Sequence, residues 1–174
     1  MLRTGGFILF FLFATGFTVV GQKHCNYMVD TNRILSNSDL DEFLSGLKHG
    51  TFITFSQKKN IPKFIMDQLD CLTGSFSLAN PDQEYQCCCT SSTKLPKRKL
   101  IYVAVSNDMF VMTYLTGGIG VETHLLLIKF SGQKIEKLWT GFGDDNSKSP
   151  GEIFTFIKKH RYKEWGLNTN VVIL

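Results

Sequence analysis

The stretch LIYVAVSNDMFVMTYLTGGIGVETHLLLIKFSGQKIEKLWTG, residues 100–141, decides the fold. Four apolar runs are separated by three short turn signals, at Ser106-Asn107-Asp108, at residues 116–120 (TGGIG) and at Ser131-Gly132-Gln133. The stretch has no proline, its glycines sit at or near the turns, and it is rich in the β-branched and aromatic side chains that suit a pleated, half-buried surface. The spacing predicts a four-stranded antiparallel meander. Residues 100–105, 110–115 and 125–130 are apolar at odd and even positions alike. Successive side chains of a strand point to opposite faces, so the pattern calls for cover on both.

Helical patterns flank the meander. Leu40, Phe43, Leu44 and Leu47 fall on one stripe of a helix over 38–49, with Ser38 and Asp41 as a capping-box-like start and Gly50 as the stop. A second helix is predicted over 61–73, with Asn60 as N-cap, Pro62 in the first turn and Gly74 after the end. Its stripe is Ile61, Phe64, Ile65, Leu69 and Leu72, and Cys71 beside it reads as a small buried hydrophobe. A third helix runs from Pro150 to about His160, opened by Ser149 as N-cap, Pro150 at N1 and Glu152 at N3.

The remaining segments are shorter. Residues 22–37 read as an arm with a short strand or turn, 51–56 as a strand or buried loop, and 75–79 and 84–90 as strands around Asn80-Pro81-Asp82. Lys94, Lys97, Arg98 and Lys99 surround Pro96 as a solvated loop leading into the meander, or as a contact for an anionic surface. Trp165 and the apolar residues 171–174 suit an edge strand or a tail tucked under a helix. The fold class is therefore one α+β domain, an antiparallel meander sheet of about five or six strands packed with three helices, with a curved, cone-like sheet as one possible form.

Composition and the amino terminus set the context. An apolar fraction of 43% and a charged fraction of 20% are those of an ordinary globular protein, and a formal charge of +4 does not argue for a polyanionic partner. Arg3, the apolar run 7–20, and Val19 and Gly21 at the −3 and −1 positions predict a cleaved signal peptide over 1–21 and a single domain over 22–174. The run is shorter than the roughly twenty residues that span a bilayer, so no stable membrane span is expected after leader removal. The protein is expected to be secreted or periplasmic. Cys25, Cys71, Cys87, Cys88 and Cys89 then allow at most two bridges within the chain. Nucleic acid is not expected as a partner, because no aromatic residues interleave the basic ones.

Few residues carry a chemical signal. Cys87 and Cys89 share one face of a strand and Cys88 the other; pairing with Cys25 or Cys71 is geometrically easier than adjacent pairing, and a thiol or metal role is the alternative. No metal-ligand spacing is present and no cofactor is implied. His124 opens the third meander strand beside a glycine loop and Glu122, so it could act as an acid/base with Glu122 or Asp108. Gly117, Gly118 and Gly120 suit a hairpin loop needing positive φ better than a phosphate loop, since a strand and not a helix follows. Asp144, Asp145 and Asn146 lack calcium-loop spacing, because Lys148 stands where a ligand should come.

The run LLLIKFSGQKIEKLW, residues 125–139, resembles the closing hairpin of the NTF2-like, SnoaL-type families. The resemblance implies a pocket between a curved sheet and its helices, with His124 or Tyr114 among the polar linings; Tyr114, Gly117, Gly118 and Gly120 are the candidate binding residues. Three functions follow as expectations: non-catalytic binding of a small apolar ligand or a protein partner, a small-pocket enzyme using a His/carboxylate pair, and a thiol or metal function of the cysteine cluster.

Overall fold

The computed structural model describes residues 25–87, 94–117 and 120–161. The expected leader, Cys88, Cys89, Gly118, Trp165 and residues 171–174 lie outside the described residues. The helices are α1 (Thr31–Leu35), α2 (Leu40–His49), α3 (Lys63–Thr73) and α4 (Pro150–His160). The strands are β1 (Ile53–Phe55), β2 (Leu78–Ala79), β3 (Arg98–Val105), β4 (Met109–Thr116), β5 (Glu122–Ser131) and β6 (Lys134–Phe142). They form one open sheet in the order β1-β3-β4-β5-β6, antiparallel throughout that path, while β2 pairs parallel with the start of β3. The α+β class and the meander are as the sequence implies.

The register explains why both odd and even positions are apolar. Leu100, Tyr114, His124 and Phe142 align across four strands, and Phe110, Ile128 and Leu138 continue the same face. That face is covered by α3 and the segment after it, through Phe64 against Phe130 with ring centroids 5.2 Å apart and Phe76 against Tyr114 at 5.6 Å. Val111, Leu127 and Trp139 align on the opposite face, under α1 and α2, and α4 packs against α2. All of these sheet residues except Phe142 are buried, and each fully buried large apolar side chain contributes roughly 1.5–3 kcal/mol. Gly46 lets α2 approach the sheet: a Cβ there would lie 2.8 Å from Met109 Sδ.

Several local expectations shift. Helix α2 starts at Leu40 and not at Ser38, and the Asp39 carboxylate makes no capping bond because Arg33 Nε (2.8 Å) and Lys137 Nζ (3.1 Å) take it. The stretch read as an arm contains α1, and Asn37 after it adopts φ 55° while its Oδ1 accepts from the buried Trp139 Nε1 at 3.0 Å. Helix α3 starts at Lys63, because Lys58–Asn60 forms a 3-10 turn first. Among the described residues of the two expected strands around Pro81, only Leu78–Ala79 pairs with the sheet; residues 88–90 of the second lie outside the described residues, and Gln86 N donates to Pro96 O at 2.9 Å. Helix α4 opens as its sequence dictates, with Glu152 N donating to Ser149 Oγ and Lys148 N donating to Glu152 Oε2.

Cys71 is not an isolated hydrophobe. It is bonded to Cys25, closing a separation of 46 residues and tying the segment before α1 to the last turns of α3. In a chain-entropy picture such a loop adds roughly 4 kcal/mol to stability.

Lys129 and Lys137 stand directly opposite each other on β5 and β6, a destabilising pairing unless an anion intervenes. Glu42 of α2 provides it, bridging Lys129 Nζ at 2.8 Å and Lys137 Nζ, and Asp41 of the same turn reaches Arg161 beyond α4 at 2.6 Å. Replacing Glu42 with Gln is expected to lower urea-unfolding stability by about 1 kcal/mol at low salt, and adding Lys137→Gln to recover part of the loss. Unchanged stability in the single variant would show that Glu42 does not hold the two lysines together.

Candidate functional site

At the end of the sheet where β4 passes into β5, the register sets Arg98 opposite Thr116 and Tyr114 opposite His124, with Phe142 next in the row. Four aromatic rings then run in sequence. Phe76 meets Tyr114 edge-on, Tyr114 stacks on His124 at 5.5 Å, and His124 lies 5.7 Å from Phe142. The Arg98 guanidinium sits 4.3 Å above the Phe76 ring and donates to the Tyr114 hydroxyl. His124 Nε2 and Thr116 Oγ1 share a hydrogen bond of 2.9 Å.

Burial decides the protonation of this cluster. Tyr114 is 0% and His124 1% exposed. Loss of water pushes the Tyr114 phenol up to about 12, against the pull of the nearby Arg98. Burial first, and then the Arg98 charge, bring His124 down to about 4. Both rings are therefore neutral at pH 7, and Arg98 carries the cluster's charge. Burial draws the guanidinium below its ordinary value too, yet an arginine remains protonated at neutral pH.

The expected acid/base set is only partly assembled. Glu122 Oε2 is 3.8 Å from His124 Nε2, beyond hydrogen-bonding distance, on a side chain that is mostly exposed. Asp108 precedes β4 whereas Tyr114 and His124 pair near its other end, so about 20 Å of strand separates Asp108 from the histidine. Asp108 accepts instead from Ser106 Oγ at 3.0 Å in the β3–β4 turn. The cleft described below is not lined by His124.

The glycine loop has a different reason from the one its sequence suggests. Gly117 does not take positive φ; among the described glycines that conformation belongs to Gly74 and Gly132. A Cβ at Gly117 would lie 1.6 Å from Gln86 O, so the residue is small because the 84–87 backbone crosses it. Gly120 has open space around its Cβ direction. Cys87 is exposed at the edge of this crossing, and the disulfide joins Cys25 to Cys71, not to the triplet. No group of three or more His, Cys, Asp or Glu residues among those described could hold a metal ion. No helix among the described residues is long and apolar enough to cross a membrane.

A cleft of about 600 Å³ lies between the segment before α1, the end of α3 and the start of β3. Tyr27, Val29, Leu72 and the Cys25–Cys71 disulfide supply its apolar lining, with Thr73, Ser75, Lys97 and Arg98 on its polar side. Arg98 thus belongs to both the cleft and the buried cluster. The sequence hid this: in a run of four basic residues around a proline, a solvated loop is the simplest reading. Arg98 is instead the first residue of β3 and is 7% exposed, whereas Lys94 and Lys97 are exposed. The alternation of strand faces, counted back from Leu100, is the signal that would have placed Arg98 inside.

The His124 environment has a measurable consequence. The unfolded chain takes up a proton near pH 6.5 and the folded protein only near 4, so this contribution to stability is complete above 6.5 and lost as pH falls to about 4. The loss is on the order of 3 kcal/mol. Carboxylates held low by lysine and arginine partners, such as Asp39 and Glu42, add their own loss at lower pH. His124→Gln is expected to flatten the unfolding free energy between pH 6.5 and 4.5 while leaving the steeper acid limb in place. An unchanged slope in that window would mean that the histidine is not held neutral.

Compared with known proteins, the chain matches no family model, no curated protein and no solved structure, so the function rests on this geometry.

Proposed function

We propose that the protein is an exported, single-domain binding protein that holds a small, largely apolar ligand without catalysis in the cleft beside the Cys25–Cys71 disulfide. The observation that carries this reading is the cleft itself. Its volume of about 600 Å³ falls within the range of small-molecule sites, and its lining is apolar and polar in about equal parts, Tyr27, Val29 and Leu72 standing beside Thr31, Thr73, Ser75, Lys97 and Arg98. One wall is the segment carrying Tyr27 and Val29, tethered to α3 by the disulfide. A wall fixed in this way is pre-organised, which reduces the ordering cost of binding. The disulfide also supports an oxidising location. Neutral, buried His124 and distant Asp108 favour binding over acid/base work.

The test uses N-phenyl-naphthylamine, a neutral apolar dye whose fluorescence rises on leaving water. Saturable binding to the purified, oxidised protein is expected, with a loss of at least tenfold in affinity on Ser75→Trp, which fills the cleft from an exposed position. Reduction of the disulfide is expected to weaken binding by releasing the wall. Dye binding that is indifferent to Ser75→Trp would place the ligand elsewhere.

A further inference from the structure

We propose that Arg98 is the head-group receptor of this cleft, and that the ligand class is a small amphipathic carboxylic acid. The inference rests on the cleft being a ligand site and adds the chemistry of the ligand.

Arg98 is the one buried charged side chain among the described residues with no opposite charge beside it. The comparison with Asp39 is direct: that carboxylate is buried to a similar degree and is met by both Arg33 and Lys137. Around Arg98 stand the Phe76 ring, the neutral Tyr114 hydroxyl and the neutral His124, none of which supplies negative charge. Its Nε and Nη1 atoms are buried and donate to nothing among the described residues. An unmatched buried cation with unused donors is costly, and the fold alone gives no compensation. Glu122 lies in the same row two strands away, with Thr116 between, and forms no pair with it.

Because Arg98 also lines the cleft, an anion entering there and drawing the guanidinium toward the opening would meet the missing requirement. A carboxylate matches it in charge, one against one, and its acceptor-only oxygens suit the idle N–H groups. A dianionic phosphate would carry an uncompensated negative charge into the same low-dielectric position. Tyr27, Val29, Leu72 and the disulfide sulfurs offer apolar surface for the body of such an acid. Exposed Lys97 at the rim favours approach of an anion over a cation.

The experiment displaces bound N-phenyl-naphthylamine with decanoate, decanol and decyl phosphate at pH 7.5, using wild type, Arg98→Met and Arg98→Lys. In wild type, decanoate is expected to compete at least tenfold more strongly than decanol and more strongly than decyl phosphate. Arg98→Met keeps the aliphatic bulk against Phe76 and removes the lone charge, so it is expected to fold without loss of thermal stability and to bind decanoate and decanol equally. Arg98→Lys is expected to keep part of the preference. If Arg98→Met does not fold, the wild-type ratio and the Arg98→Lys ratio decide the matter by themselves.

Equal competition by decanoate and decanol in wild type would overturn the head-group assignment while leaving the cleft as an apolar site. A preference for decyl phosphate would overturn the carboxylate class. A decanoate preference undiminished in the Arg98 variants would place the anion on another residue. Failure of all three compounds to displace dye that Ser75→Trp does weaken would overturn the amphiphile class alone. Absence of any dye binding would remove the cleft reading and this inference with it.

Discussion

The structure depends on a sheet that must be dry on both sides. Strands β4 and β5 present apolar side chains to opposite faces in alternation, so neither face can be left to water. One helix layer is not enough. Helix α3 and the residues after it take one face, and α1 and α2, with α4 packed against α2, take the other. From this follow the close approach of α2 at Gly46, the Asn37–Trp139 hydrogen bond that fixes the α1–α2 corner, and the use of Glu42 to neutralise two lysines that the register forces together.

The same constraint creates the candidate site. Where the sheet ends and α3 has run out, Tyr114 and His124 form one row and Arg98 and Thr116 the next on the same face, the first three buried and Thr116 half-buried. The low dielectric keeps the two titratable rings neutral and leaves the guanidinium as the charge with no counterpart. The disulfide bounds this end of the molecule from outside by holding the segment before α1 over the end of α3. Cleft and cluster thus meet at one residue because the chain brings a strand start, a helix end and a cross-link to the same corner.

Much of the fold was legible because it is written in periodicity. The meander, its two-sided burial, the apolar stripe of α2 and the Ser149-Pro150-Glu152 start of α4 all depend on residues within a few positions of one another. What the sequence concealed depends on residues far apart. The Asn37–Trp139 contact, the partner of Cys71, and the reason for Gly117 each join segments tens of residues distant. The candidate site was legible in part. Tyr114 and His124 do lie side by side, but Asp108 sits at the wrong end of the strand, and Arg98 looked solvated because its neighbours Lys97 and Lys94 are. Local charge density is a poor guide where a strand begins, since alternation buries every second residue regardless of its neighbours.

Leu126 and Leu127 offer the most direct test of a sheet buried on both faces, being the same residue type at adjacent positions of β5, pointing to opposite sides, and each 0% exposed. The measurement is the urea-unfolding free energy of Leu126→Ala and Leu127→Ala. A core on each face predicts that both lose roughly 2–5 kcal/mol. A loss below about 0.5 kcal/mol in either variant, the size expected of a surface substitution, would contradict it.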